Sequence, residues 1–255
     1  MDIFFDLLFS EQFLFFILVG FLAQFIDGSM GMAYGISANS LLLSLGVSPV
    51  QSSASIHIAE VFTTAISGLS HYGFGNVDLS LVKRLIIPGI IGAICGAWIL
   101  TKLPADMIKI FVSVYLLLMG CVILIKAYRN KNQPKKVTHK VVPLGLMGGF
   151  FDAAGGGGWG PIVASTLVSK GSIPRLAVGT VNAAEFFIAL ASSLTFILTI
   201  VTIQWDIVAG LAIGGAIAAP FAAYFSSKIP SKLFMILIGI IIILLSLRIL
   251  LKLEF

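Results

Sequence analysis

The chain has 255 residues, of which 58% are hydrophobic and 11% charged, with a mean hydropathy of +1.08. This is more apolar surface than a soluble core can hide, so a water-soluble globular protein is excluded and the solvent is lipid. The net charge of +5 does not indicate nucleic acid, because six of the sixteen Lys and Arg lie in one segment, Lys126 to Lys140, the pattern of a cytoplasmic loop.

The N-terminus MDIFFDLLFSEQ carries Asp2, Asp6 and Glu11 where a signal peptide needs a basic region, so the first apolar run is expected to stay in the mature chain. A broken helical hairpin is predicted over Phe13 to Leu45, interrupted at SMGMAYG, followed by three longer helices. Among these, Leu85 to Leu100 is an uncharged run of near-spanning length. After the basic segment a second hairpin is predicted over Val141 to Ser169, broken at AAGGGGWGP, and three more helices follow, including the uncharged Leu233 to Leu247. So many glycines disfavour a continuous helix, and Pro161 removes a donor. The runs are apolar on every face, which argues against a β-barrel. Cys95 and Cys121 sit inside apolar runs as small hydrophobes, with no disulfide or metal framework.

The second half repeats the first. At an offset of 125, Asp27 meets Asp152, Glu60 meets Glu185, Gly31 meets Gly156, Gly35 meets Gly160, Gly46 meets Gly171, Pro49 meets Pro174 and Ser67 meets Ser192. A three-residue insertion then brings Asp78 onto Asp206, each expected at a helix start, where an acid complements the positive end. Further on, Leu103-Pro104 matches Ile229-Pro230. The chain therefore divides into repeat 1 (1–127), a basic cytoplasmic linker (128–140) and repeat 2 (141–255).

The expected fold is an all-α polytopic membrane protein of two homologous repeats, each a Gly-broken hairpin plus three transmembrane helices. If both limbs of each hairpin cross, the repeats are inverted and twelve Lys and Arg lie on the linker side, leaving only Lys102, Lys109, Arg248 and Lys252 opposite. If each hairpin merely dips, the split is ten to six, so the positive-inside rule favours inversion, with the acidic N-terminus outside. Non-helical backbone at membrane depth is tolerated only where protein buries it or a wet cavity runs past it, so the two breaks mark a pathway.

The hairpin FIDGSMGMAYG with its copy FFDAAGGGGWGP, the turns GVSP and GSIP, and the segments SASIHIAE and VGTVNAAE resemble the TauE/SafE family of sulfite and organosulfonate exporters over nearly the whole chain. The resemblance implies a multi-pass protein of the inner (cytoplasmic) membrane that transports small sulfur-containing anions such as sulfite, sulfoacetate or other organosulfonates. The expected partners are that anionic substrate, the lipid bilayer and a second copy of the chain in a homodimer, with no nucleic acid and no cofactor.

Asp27, Glu60, Asp152 and Glu185 lie in otherwise apolar segments, where each charge costs roughly 2.5–3.5 kcal/mol. All four are candidates for proton coupling; the competing role for Asp27 and Asp152 is to cap a broken helix. His57 and Asn182 are repeat mates one turn before the glutamates, on the same helix face, and Ser55 and Thr180 are mates beside them. These four could line an anion site, or Ser55 and Thr180 could serve as hydrogen-bonding glue between helices. No Lys or Arg lies deep in an apolar run, so the anion is expected to take backbone N–H donors at Gly31, Gly156, Gly157 and Gly158. Lys170 and Arg175 could draw anions to a vestibule or simply sit in a solvated loop, and Trp159 could touch substrate or pack.

Two other functions compete: a cation or proton transporter using the mirrored acids as ligands, and an accessory membrane protein for assembly. An enzyme is not expected, because no nucleophile elbow or H-E-x-x-H appears and His57, His71 and His139 are scattered.

Overall fold

The structure is a computed structural model and describes residues 10–128, 141–170, 172–200, 202–226 and 231–251. Most of the linker, His139, Gly171 and the Ile229-Pro230 pair lie outside the described residues. All regular structure among the described residues is helical. Repeat 1 supplies α1 (Glu11–Met30), α2 (Tyr34–Ser44), α3 (Pro49–Gly73), α4 (Leu79–Lys102) and α5 (Ala105–Tyr128). Repeat 2 supplies α6 (Val141–Gly155), a π-helical turn (Gly160–Ala164) running into α7 (Ser165–Ser169), then α8 (Pro174–Thr199), α9 (Trp205–Phe225) and α10 (Ser231–Leu251).

Among the described residues, five helical segments are long and apolar enough to cross a membrane: Glu11–Met30, Leu79–Lys102, Asp106–Ile125, Pro174–Thr199 and Trp205–Phe225. Their outward faces carry large exposed apolar side chains such as Leu18, Ile87, Trp98, Leu198 and Phe221, as lipid requires.

Local chemistry sets the helix ends. Ser10 and Ser48 accept N–H bonds at the starts of α1 and α3, and Pro49 takes the first position of α3, where its missing donor costs nothing. Asp78 caps α4 by accepting from the N–H groups of Ser80 and Leu81 at 3.0 and 3.1 Å. The corresponding cap of α9 is Gln204, a spacing of 126, so one extra residue separates the copies here instead of three. Asp206 therefore sits inside the first turn of α9, where its charge still meets the helix dipole.

The two repeats interleave. α1 packs chiefly on α9 and its mate α6 on α4; α3 packs on α8 and α5 on α10. Glycine makes the first two contacts possible: a methyl group on Gly214 would overlap the Ile17 carbonyl, and one on Gly92 the Leu146 carbonyl. In lipid such close backbone approach is what drives helices together. The long helices α3 and α8 run antiparallel, since the His57 ring lies 5.9 Å from the Phe196 ring while Ser67, further along α3, bonds Asn182, nearer the start of α8. Mates thus face each other head to tail across the centre.

Candidate functional site

Both predicted breaks are present and they meet. Gly31 and its mate Gly156 have positive φ of 69° and 67°, the left-handed conformation that glycine takes without penalty. The chain stops being helical at the same place in each copy and becomes helical again at Tyr34 and at Trp159. The breaks are pressed together so closely that a Cβ on Gly35 would lie 2.6 Å from the Gly157 Cα and 3.2 Å from Glu60 Oε1.

The four acids converge on this junction and all are buried. Asp152 Oδ1 accepts the N–H groups of Gly158 and Trp159 at 2.8 and 2.9 Å, closing the second break. The Asp27 carboxyl faces the N–H of Tyr34, the mate of Trp159. Each Asp also meets a side chain from the other repeat: His57 Nε2 is 3.2 Å from Asp152 Oδ2, and the Asn182 amide faces Asp27. Glu60 and Glu185 stand at mid-length on α3 and α8, and all four carboxyl groups are within electrostatic reach of one another. Buried oxygens of all four acids, with Ser55, Thr63 and Ser192 hydroxyls, have no hydrogen-bond partner, so the junction is polar and unsatisfied.

The expected ring of free backbone donors does not appear at three of the four glycines. Gly31 N–H donates to the Asp27 carbonyl at 2.5 Å, Gly157 N–H to the Asp152 carbonyl at 2.8 Å, and Gly158 N–H to the Asp152 carboxylate. The physical reason is local: the last helical turn closes on its own carbonyls at Gly31 and Gly157, and only Gly158 N–H is taken by a side chain, that of Asp152. The capping role for Asp152 is thus observed together with its contact to His57.

The remaining candidates separate in the same way. Thr180 Oγ1 accepts the Asp78 N–H at 2.9 Å and ties α8 to the start of α4, while its mate Ser55 is buried and unpaired. Asn182 accepts from Ser67 at 2.7 Å. Trp159 is fully buried and donates its ring N–H to the Val181 carbonyl at 3.1 Å, a packing role. Lys170 and Arg175 are exposed, away from the junction. His71 is satisfied, its Nε2 on the Gly28 carbonyl at 2.8 Å and its Nδ1 near the Asn76 amide at 3.4 Å.

Several residues at the junction have no counterpart in the repeat comparison. Asn39 of α2 donates to the Gly155 carbonyl at 2.6 Å and accepts from Ser52, tying the second break to the first hairpin. Tyr115 of α5 donates to the Gly157 carbonyl at 2.9 Å and stacks on Phe151 with ring centres 5.7 Å apart. Gln24, fully buried on α1, leaves both polar atoms unpaired. The mates of Asn39 and Gln24 are Ala164 and Gly149, so mirrored residues could not flag them; a lone buried amide in an apolar helix was the available signal.

A family profile described as "Sulfite exporter TauE/SafE" matches residues 16–249. The chain is 46% identical to the probable membrane transporter protein YtnM of Bacillus subtilis over 209 residues, 78% of this chain and 70% of that one. It is 30% identical to the probable membrane transporter protein YdhB of the same organism over 58% of this chain and 63% of that one. It is 27% identical to the probable membrane transporter protein ORF9 of a Sinorhizobium species over 57% of each. No solved structure matches. A profile spanning nearly every described helix, on a chain whose breaks and acids meet at one buried junction, decides the matter: the chain belongs to the TauE/SafE sulfite exporter family of multi-pass membrane transporters.

Proposed function

We propose that the protein exports small sulfur-containing anions, such as sulfite, sulfoacetate or other organosulfonates, across the inner membrane through the junction of the two breaks, coupled to protons. The observation that carries the reading is the family match over 16–249, joined to a central junction rich in unpaired polar groups. His57 and Asn182 face it from opposite repeats, and Ser55 adds an unpaired hydroxyl.

Electrostatics ties the anion to a cation. An anion entering among Asp27, Glu60, Asp152 and Glu185 meets like charge in a poorly screened site, so the acids must be neutralised as it binds. Protons on Glu60 and Glu185, whose Oε2 atoms are unpaired, meet that demand and give coupled movement. Antiparallel packing of α3 on α8 supports two inverted repeats that rock about the junction, with access alternating between the two faces.

A cation transporter is the second reading, favoured because Asp27 and Asp152 consume the N–H donors of Gly31, Gly157 and Gly158 that an anion would want. Proteoliposomes containing the purified protein separate the two. Sulfite or sulfonate flux that responds to a pH gradient supports the leading reading; flux of cations alone, with no sulfur anion moved, replaces it with the second.

A further inference from the structure

We propose that His57, Glu60 and Asp152 form a binding site for one divalent transition-metal ion, of the Zn²⁺, Co²⁺ or Mn²⁺ kind. This goes beyond the transport reading and stands on its own geometry. His57 Nδ1 lies 2.8 Å from the Ser53 carbonyl, which can only accept, so Nδ1 carries a proton and, in the neutral ring that metal binding requires, Nε2 presents the lone pair. A backbone carbonyl fixing the far nitrogen is the arrangement that orients a metal-binding imidazole.

What faces that lone pair is a second acceptor. Asp152 Oδ2 lies 3.2 Å from Nε2, close enough to pair with the ring when it is protonated, and neither atom has another partner. Glu60 Oε2 is also unpaired, and one ligand atom from each of the three residues falls within 4.8 Å of the others. All three side chains are at most 1% exposed.

With the ring neutral, three bare acceptors in a buried space need a positive charge among them. A proton on Nε2 pairs the ring with Asp152 alone and leaves Glu60 Oε2 without a partner. A metal ion takes all three. Two ligands about 2.0–2.1 Å from a tetrahedral centre stand roughly 3.3 Å apart, close to the Nε2 to Oδ2 distance. Imidazole with two carboxylates suits first-row transition ions, whereas Mg²⁺ and Ca²⁺ prefer oxygen alone. Asp152 Oδ1 is spent on Gly158 and Trp159, so this residue binds through Oδ2 only.

The repeat mates cannot do the same. Where His57 has a lone pair, Asn182 has an amide whose oxygen already accepts from Ser67 and whose nitrogen donates to the Val178 carbonyl at 3.2 Å. Among the described residues there is thus one such site, on the His57 side. Three protein ligands leave a fourth position open, which an oxyanion could fill.

The test is Co²⁺ titration of the full chain, purified in detergent and stripped by chelator, read by visible absorption and thermal unfolding. The expected result is one Co²⁺ per chain, displaced by Zn²⁺, with a rise in Tm. His57→Asn, which installs the residue that its mate carries natively, and Glu60→Gln should each weaken binding by at least about tenfold. The double variant Cys95→Ser/Cys121→Ser should bind as the wild type, which excludes the lipid-facing thiols. Absence of a Co²⁺ spectrum in the folded wild type, or unaltered binding by folded His57→Asn, overturns the site. Sulfur-anion flux in chelator-treated proteoliposomes is scored separately: flux without metal binding removes this inference alone, and metal binding without flux removes the transport reading alone.

Discussion

The Ser67 hydroxyl of α3 donates to the Asn182 side-chain oxygen of α8 over 2.7 Å, with both residues fully buried. The bond joins the antiparallel central helices beside the acids, and it holds the Asn182 amide in a fixed orientation. Ser67→Ala leaves a buried acceptor unpaired and should cost about 1–3 kcal/mol, seen as a lowered Tm in detergent. Asn182→Leu should lower Tm similarly and also weaken sulfite or sulfonate binding by at least roughly tenfold, about 1.4 kcal/mol. Normal anion binding by Asn182→Leu removes this residue from the substrate site.

Glu60→Gln and Glu185→Gln keep side-chain size and a polar end while removing the titratable oxygen. Anion flux driven by a pH gradient should lose that dependence in both variants, with flux down the anion's own gradient retained in part. Gradient-driven flux that is unchanged in both leaves the glutamates a structural role.

The topology prediction concerns the two sides of the membrane. With inverted repeats and five crossings in each, a cysteine placed at Asp6 and one placed at Asn132 should react with a membrane-impermeant maleimide from opposite faces, in a background lacking Cys95 and Cys121. Labelling of both from one face sinks the inverted arrangement.

Close helix packing makes a further pair of substitutions informative. Gly214→Ala pushes a methyl group into the Ile17 backbone and should destabilise by about 1–3 kcal/mol, because backbone cannot yield as a flexible side chain does. Gly73→Ala, with nothing within 4 Å of the added carbon, should leave Tm nearly unchanged. Thermal unfolding followed by size-exclusion decides between them.

What could be read from the sequence was whatever left a mark in both halves. Asp27 and Asp152, Glu60 and Glu185, and Gly31 and Gly156 were found because their partners recur at a fixed spacing, and the structure puts all of them at one junction. The fate of the glycine amides was not legible, since it depends on how the last helical turn closes on its own carbonyls and, at Gly158, on the rotamer of Asp152, neither of which spacing gives. Asn39 and Tyr115 escaped the repeat comparison for another reason. They act across the boundary between repeats, on the second break from the first half, and a comparison of like with like does not register such contacts. The offset near Asp78 was misjudged by two residues because an acid was matched to an acid, while the α9 cap is Gln204 and Asp206 reaches the same dipole from the first turn.

The reciprocal packing of α1 on α9 and α6 on α4 has a consequence for biosynthesis. α1, made before the other described helices, carries a glycine at position 20 and a buried Gln24 whose partner surface is made roughly 190 residues later. Until α9 arrives, α1 exposes to lipid, or to an insertion factor, an amide that the folded protein keeps buried. The half-made chain is therefore the vulnerable species, and truncation before Trp205 should yield a product that quality-control proteases clear, even though every helix of the first repeat is present. Expression of the two halves as separate chains should restore the protein only when both are made together, because neither half contains the surface that closes its own first helix.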